Sequence, residues 1–531
     1  MNNFVFLVEI ATIGMKLLPI GIQDFAKLRE LEALYVDKTR YIYDLHQGSG
    51  YYFLSRPRRF GKSLLISTLK ELFLGNKEIF EGLWIEHRID WQTHPIIHIS
   101  FNAIGYRELG LEAAIVQILE VHARAYQLEL VETGIGLRFA ELLRKLAAKG
   151  RRVVILIDEY DKPIIDYLED IPTAVAQREI LKSFYSIIKN ADGYIRFLLI
   201  TGVSKFSRVS IFSDLNNLED LTMAPDFDAI AGYTQAELEQ YFHPYIEKVA
   251  DKIALSRADT LSKIKEWYNG YSWGGEHKLY NPFSILNLFK QKRFANFWFQ
   301  TGTPTFLIKI LTSGMHFELE GIEVGETLFE SYDLQNLEYR ALLFQTGYLT
   351  VKAVKEGGES YVLDYPNKEV RASLYQHLLG GFRHASSLDT QPLFTNLKRS
   401  LEANQIQAFI GHINTLFAHI PHQIFIKDQE AFFHAILHIA FKAIGMYVDS
   451  EVSRAKGRLD SIVQTEKYIY IMEFKLNESV AAALTQIRSQ RYGSSYLGQN
   501  KEVFALGINF SSELKEVESW EMIDYEELLV G

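Results

Sequence analysis

The sequence predicts an α/β protein in three parts, and three features carry that prediction. Gly61-Lys62-Ser63 stands between a short apolar strand, Tyr51 to Ser55, and an amphipathic helix that sets Leu65, Leu69, Leu72 and Phe73 at helical spacing. Val153 to Ile157 is a continuous apolar run closing in Asp158-Glu159. Near the C-terminus, Asp460 precedes Glu473-Phe474-Lys475 by about the length of a hairpin. Amphipathic helical stretches fill the chain between. The expected architecture is therefore a phosphate-loop core on a parallel sheet (residues 15–214), a helical lid and linker region (215–420) and a compact C-terminal α/β domain (421–531).

A chain of 531 residues is too long for one hydrophobic core, so several units are expected. Cysteine is absent, which excludes disulfides and thiolate metal sites and fits a reducing compartment; the cytoplasm is the expected location. A net charge of −10 excludes a surface that binds nucleic acid all over, because such affinity comes from Lys and Arg neutralising phosphates; any nucleic-acid site must be local. The apolar stretch from Phe4 to Gly14 is interrupted by Glu9, lacks a preceding basic residue and is too short to span a bilayer. Met15 opens a second start, so residues 1–14 are expected to be an upstream-start artefact, with a short edge strand as the alternative. No membrane partner is expected.

In the strand, loop, helix order of residues 51–73, glycine lets the backbone approach a phosphate, Lys62 reaches the outer phosphates of ATP, and the Ser63 hydroxyl ligates Mg²⁺ at a helix N-terminus. Arg58, Arg59, Phe60, Gly61, Lys62 and Ser63 are the candidate ATP-binding residues here. Arg56 takes the position of the generic pattern's first glycine, and the basic loop Arg56, Arg58, Arg59 is read as serving the nucleotide. A basic turn before a surface helix is the competing reading of this motif alone. Asp158 and Glu159 end a strand of the type buried on both faces, where an α/β sheet binds ligands. Asp158 is expected to hold Mg²⁺ through water and Glu159 to polarise the attacking water. An acidic turn closing a core strand is the alternative, weakened by both motifs occurring in order with a strand at Ile96 to Phe101 between them. A further strand, Phe197 to Ile200, ends in Thr201-Gly202, and Thr201 is the candidate sensor of the outer phosphate. Arg208 is either an arginine finger or, the preferred reading, a solvated loop residue.

From about Leu215 to Thr390, amphipathic helical stretches alternate with turns. Trp267 to Gly275 predicts a tight turn or hairpin packed on a small core; base stacking by its aromatics is the less favoured reading, because basic residues are sparse there. His412, His419 and His422 share no carboxylate and are read as structural.

After Pro421 the pattern is helix (Glu430 to Ile444), strands at Tyr447 to Val452, Leu459 to Val463 and Tyr468 to Phe474, helix (Val480 to Tyr492), and a last strand from Val503 to Ile508. That order brings the ends of the strands carrying Asp460 and Glu473 side by side, where the two carboxylates can share Mg²⁺ or Mn²⁺. Glu473 and Lys475 are two apart on a strand and face the same way, so Lys475 can orient a water that attacks a phosphodiester. A turn aspartate and a surface ion pair are the alternative. Acidic residues outnumber basic ones in this domain, so Arg458, Arg488 and Arg491 are the candidates for a local path.

Phe53 to Ser63, Asp158-Glu159-Tyr160-Asp161-Lys162-Pro163 and Thr201 to Ser207 together resemble the predicted AAA-ATPase-like family, whose bacterial members usually carry a fused nuclease domain of the PD-(D/E)XK superfamily. The likeness runs from about Leu18, and the Arg-Pro-Arg-Arg loop is usual within that family. The C-terminal part resembles the PD-(D/E)XK module, of restriction-endonuclease-like fold, through Glu430 with Phe433-His434, Glu451, Gly457 to Asp460, Glu473-Phe474-Lys475 and Gln486-Ile487 with Tyr492. The resemblance implies Asp460 and Glu473 as metal ligands, Lys475 as catalytic lysine, Glu430 and Glu451 as accessory acids, Gln486 as a supporting residue, and a middle region that senses nucleotide state. The expected function is an ATP-dependent or ATP-gated nuclease acting on nucleic acid, DNA in the first instance, with homo-oligomerisation open. The alternative is a nucleotide switch whose C-terminal domain binds nucleic acid or a partner without cutting.

Overall fold

The computed structural model describes residues 15–48, 50–205, 211–212, 215, 217–298, 305–313, 319–330, 338–355, 358–383, 387–418, 430–443, 447–450 and 461–530. The chain divides into two compact units, one of residues 1–301 and 319–369, the other of 302–318 and 370–531.

The first unit is built on a parallel sheet of β1 (Tyr51–Ser55), β2 (Ile96–Ser100), β3 (Val153–Asp158), β4 (Ile195–Gly202) and β5 (Glu219–Asp220), in the order β2-β3-β4-β1-β5. All residues of β1 and β3 are buried, which is why their sequences run apolar without alternation: helices cover both faces. Those helices include α1 (Lys62–Phe73), α2 (Leu111–Ala125), α3 (Ile135–Ala147) and α4 (Ile171–Asn190). Phe139 of α3 stacks on Phe184 of α4 with ring centroids 4.6 Å apart. Strand β4 lies between β1 and β3, with Thr201 opposite Leu54. The expected strands at Ile96 and Phe197 are present, whereas β5 has two acidic residues and no apolar pattern to betray it.

Beyond the sheet, α5 (Arg257–Tyr268) and α6 (Pro282–Gln291) share an apolar cluster with Leu238, Phe242, Ile246 and Val249. Between them β6 (Asn269–Tyr271) and β7 (Leu279–Tyr280) pair antiparallel. Tyr271 and Trp273 are buried, so the aromatic turn is core, as its sparse charge implied. The region read as helix and turn also contains a sheet. It comprises β8 (Ile322–Gly325), β9 (Thr350–Val354) and β10 (Ser360–Asp364), antiparallel in the order β8-β10-β9, with helix α7 (Tyr339–Thr346) preceding β9. The half-exposed faces of β9 and β10 leave no long apolar run to read.

In the second unit, α8 (Ile406–Ala418), α9 (Glu430–Ala443), α10 (Val480–Gln490) and α11 (Tyr525–Val530) accompany a mixed sheet of β11 (Tyr447–Ser450), β12 (Ser461–Gln464), β13 (Tyr468–Leu476), β14 (Glu502–Ser511) and β15 (Glu516–Asp524). The strands lie in chain order; β13 and β14 are parallel and the other pairs antiparallel. The strand after α10 is thus not the last: β15, largely solvent-facing and so without a hydrophobic signature, pairs beside it and leads into α11. Gly507 lets α10 lie close on β14, since a Cβ there would come 3.1 Å from Leu484 Cγ and from the Val480 carbonyl oxygen. Among the described residues no helix is long and apolar enough to cross a membrane.

Candidate active sites

In the first unit the turn from β1 into α1 is made possible by two left-handed residues, Arg59 (φ +68°) and Gly61 (φ +93°), the latter capping α1. The end of β3 carries a third, Glu159 (φ +54°). Non-glycine residues held in this region cost on the order of 1 kcal/mol each and concentrate where geometry is functional. The turns enclose a cleft of about 320 Å³. Arg58, Arg59, Gly61, Lys62 and Ser63 line it together with Asn102, Glu159, Asp161 and Lys162, and Pro19, Ile22, Tyr233, Phe283 and Leu286 give the lining its apolar part.

Lys62 is buried, and its Nζ donates to the carbonyl oxygens of Arg56 (2.7 Å) and Pro57 (3.0 Å), closing the loop on itself. Burial lowers its pKa, while the charges of Asp158, Glu159 and Asp161 oppose that shift. Burial raises the pKa of Glu159, helped by the neighbouring charge of Asp158. Asp158 is itself buried, and its Oδ1 accepts the Thr201 hydroxyl at 2.7 Å. Asp161 Oδ2 accepts Val203 N–H, Ser204 N–H and the Ser204 hydroxyl, whereas its Oδ1 is buried with no hydrogen-bond partner in another residue among those described.

In the second unit Glu473 and Lys475 share one face of β13, with Lys475 Nζ 3.2 Å from Glu473 Oε1. Glu473 is buried and lies opposite Gly507 on β14, while Lys475 lies opposite Asn509. Asn509 is also buried; its Oδ1 accepts Glu478 N–H at 2.9 Å and its Nδ2 donates to Glu518 Oε2 at 3.1 Å. Ser461 at the start of β12 pairs with Met472. Among the described residues no three His, Asp or Glu side chains converge into a metal cluster.

Residues 19–212 match the family model described as predicted AAA-ATPase, and residues 428–520 match that of the PD-(D/E)XK nuclease superfamily. A protein of Azotobacter chroococcum mcd 1, named "Uncharacterized protein in vnfD 5'region", is 39% identical over 518 residues, which cover 94% of this chain and 98% of that one. The chain belongs to the predicted AAA-ATPase family with a fused PD-(D/E)XK nuclease-superfamily domain.

The structure of this predicted AAA-ATPase-family fusion places the sequence-derived candidates unevenly. Arg58, Arg59, Gly61, Lys62, Ser63 and Glu159 all line one cleft. Two readings of the basic loop are corrected. Arg56 does not face the cleft: it is fully buried, donates to the carbonyls of Ser55 (2.9 Å), Thr222 (2.9 Å), Phe227 (3.3 Å) and Asp228 (3.4 Å), and lies 4.0 Å over the Trp273 ring. A buried guanidinium needs such acceptors, and burial lowers its pKa to about 10. Phe60 is turned from the cleft as well, its apolar ring set edge-on against Tyr271 and Trp273. Thr201 is fully buried and bonded to Asp158.

In the fusion's second unit, Glu430 is the first residue of α9, and Gln486 sits half-buried on α10, which packs on β13 and β14. His412 is half-buried on α8. Asp460, Glu451, Arg208, His419 and His422 lie outside the described residues. Sequence reasoning missed Asn102, Asp161, Lys162, Tyr233 and Phe283 in the cleft. Asp161 and Lys162 were legible in principle, three and four residues after Asp158; Asn102, Tyr233 and Phe283 reach the cleft from distant segments.

Proposed function

We propose that the first unit binds and hydrolyses ATP with Mg²⁺, and that the second is a metal-dependent nuclease whose cutting is driven or gated by that nucleotide. The observation that carries the reading is one cleft lined together by a left-handed glycine, a buried lysine, a serine at a helix start and Glu159 at the end of β3. The residues fit a triphosphate. Backbone N–H groups at the start of α1 and the Lys62 ammonium suit its outer phosphates, and the apolar flank of Pro19, Ile22, Tyr233 and Phe283 suits a purine ring. Lys62 would exchange its two loop carbonyls for phosphate oxygens, a swap that preserves its hydrogen bonds. Mg²⁺, held by Ser63 and through water by Asp158, would neutralise phosphate charge. Glu159, its pKa raised by burial, would take a proton from the attacking water, and the Thr201 hydroxyl, which donates to Asp158, would hold that carboxylate in register.

In the nuclease unit Asp460 and Glu473 are the proposed ligands of Mg²⁺ or Mn²⁺, with Lys475 orienting the attacking water and Glu430, Glu451 and Gln486 in support. The support is that Ser461, the chain neighbour of Asp460, is paired with Met472, the chain neighbour of Glu473. A buried Glu473 oxygen beside the Lys475 ammonium gives the hard, anionic donor such ions take. The metal would supply charge stabilisation of the phosphodiester in its transition state. Nucleic acid, DNA foremost, is the proposed substrate, and the cytoplasm the proposed setting.

The test is incubation of purified protein with single- and double-stranded DNA and RNA, with Mg²⁺ or Mn²⁺, with and without ATP, beside Lys62→Ala, Asp460→Ala and Glu473→Gln. Cleavage that needs a divalent ion, Asp460 and Glu473 supports the reading. ATP turnover without any cleavage replaces it with a nucleotide switch that binds its target uncut.

A further inference from the structure

Asp161 is a carboxylate lining the cleft that the proposed chemistry leaves unused. Its side chain is 1% exposed, and its two oxygens are treated differently. Oδ2 accepts Val203 N–H at 3.0 Å, Ser204 N–H at 2.7 Å and the Ser204 hydroxyl at 2.7 Å. The neighbouring Tyr160 hydroxyl donates to the Ser204 carbonyl oxygen at 2.8 Å. The acidic end of β3 thereby grips Ser204 by its amide, its hydroxyl and its carbonyl. The next residue extends the grip: Lys205 N–H donates to Gln345 Oε1 of α7 at 3.0 Å, and Lys205 Nζ pairs with Asp220 of β5 at 2.8 Å. Gly202 is required for this packing, since a Cβ there would come 2.5 Å from the Tyr160 ring and 2.8 Å from Asp161 Oδ1.

Oδ1 is buried, accepts no hydrogen bond from another residue among the described residues, and belongs to a residue lining the same cleft as Lys62 and Glu159. A buried orphan acceptor is costly and rare, and water is its usual partner where a polar cleft adjoins it. We propose that Asp161 is a positioning residue of the ATPase site, fixing the loop after β4 through one carboxylate oxygen and ordering a cleft water beside the outer phosphates through the other. It links the phosphate end of the cleft to α7 and β5 by way of Ser204 and Lys205. This rests on the ATPase reading above.

Asp161→Asn separates the two tasks, because one amide oxygen still accepts the Val203 and Ser204 N–H groups while the other position becomes a donor. The measurements are ATP affinity, steady-state ATP turnover, and hydrogen exchange at the amides of Val203 and Ser204, on the full chain with Asp161→Ala alongside. The expected result for Asp161→Asn is amide protection like wild type, ATP affinity and KM within about threefold, and kcat lowered tenfold or more. Asp161→Ala should lose protection at Ser204 as well. Wild-type turnover in Asp161→Asn would leave only a structural clamp and overturn the proposal while leaving the ATPase reading standing. Wild-type protein that binds no ATP overturns both, a result readable before any variant is made.

Discussion

Glu369 offers the clearest quantitative check on the first unit. It is fully buried; Oε1 accepts the backbone N–H groups of Phe297 (2.5 Å) and Trp298 (2.8 Å), and Oε2 accepts the Ser284 hydroxyl (2.7 Å). Trp298 in turn donates its ring N–H to the carbonyl oxygen of Arg58 at 3.2 Å, so this carboxyl braces the phosphate loop from behind. Burial raises its pKa from 4.5 to about 7, outweighing the three donors. An acid whose pKa is higher folded than unfolded binds more protons in the native state, so stability falls as pH rises from about 4.5 to about 7 and stays lower above. A difference of about 2.5 pH units, at 1.36 kcal/mol each, is a loss of about 3 kcal/mol. Glu369→Gln mimics the protonated acid: its oxygen can keep both backbone donors and its amide can donate to Ser284. The variant should match wild type at pH 5 and exceed it by about 2 to 3 kcal/mol at pH 8. The assay is urea unfolding of both proteins from pH 5 to 8, followed by tryptophan fluorescence; shared titrations cancel in the difference. Parallel pH–stability curves would falsify the assignment of a buried, proton-holding Glu369.

Other outcomes follow from the same geometry. Lys62→Ala should weaken ATP binding at least tenfold, about 1.4 kcal/mol, by titration calorimetry, while leaving the fold intact because the amine donates its hydrogen bonds to carbonyls of its own loop. Arg56→Ala should destabilise the first unit by about 3 kcal/mol or more, read as a lowered melting temperature, since it strips donors from four carbonyls, three of them in buried bonds; Arg58→Ala, exposed, should lower ATP affinity without that loss. Gly202→Ala should cost about 1 to 3 kcal/mol through its clash with Tyr160, visible in the same melt. Glu473→Gln should abolish metal-dependent cleavage in a gel assay with circular dichroism unchanged.

The sequence made some parts plain and hid others for identifiable reasons. Strands β1, β3 and β13 announced themselves because burial on both faces demands unbroken apolar runs, and the residues that end them were readable as chemistry. Strands β5 and β15, short or solvent-facing, left no such trace. Arg56 was misread because a basic residue in a phosphate loop looks like a ligand until Thr222, Phe227 and Asp228, far along the chain, close around it.

By itself, then, the sequence determined the local groupings on which both proposed sites rest: the spacing of Gly61, Lys62 and Ser63, the Asp158-Glu159 strand end, and Glu473 two residues before Lys475 all act over distances that a strand or one turn of helix dictates. Tertiary structure alone decided which charges face the cleft and which are spent inside the protein. It turned Arg56 and Phe60 inward, brought Tyr233 and Phe283 alongside Lys62, and set Asp161 against Ser204. Burial and hydrogen-bond partners come from segments remote in the chain, and no local pattern encodes them.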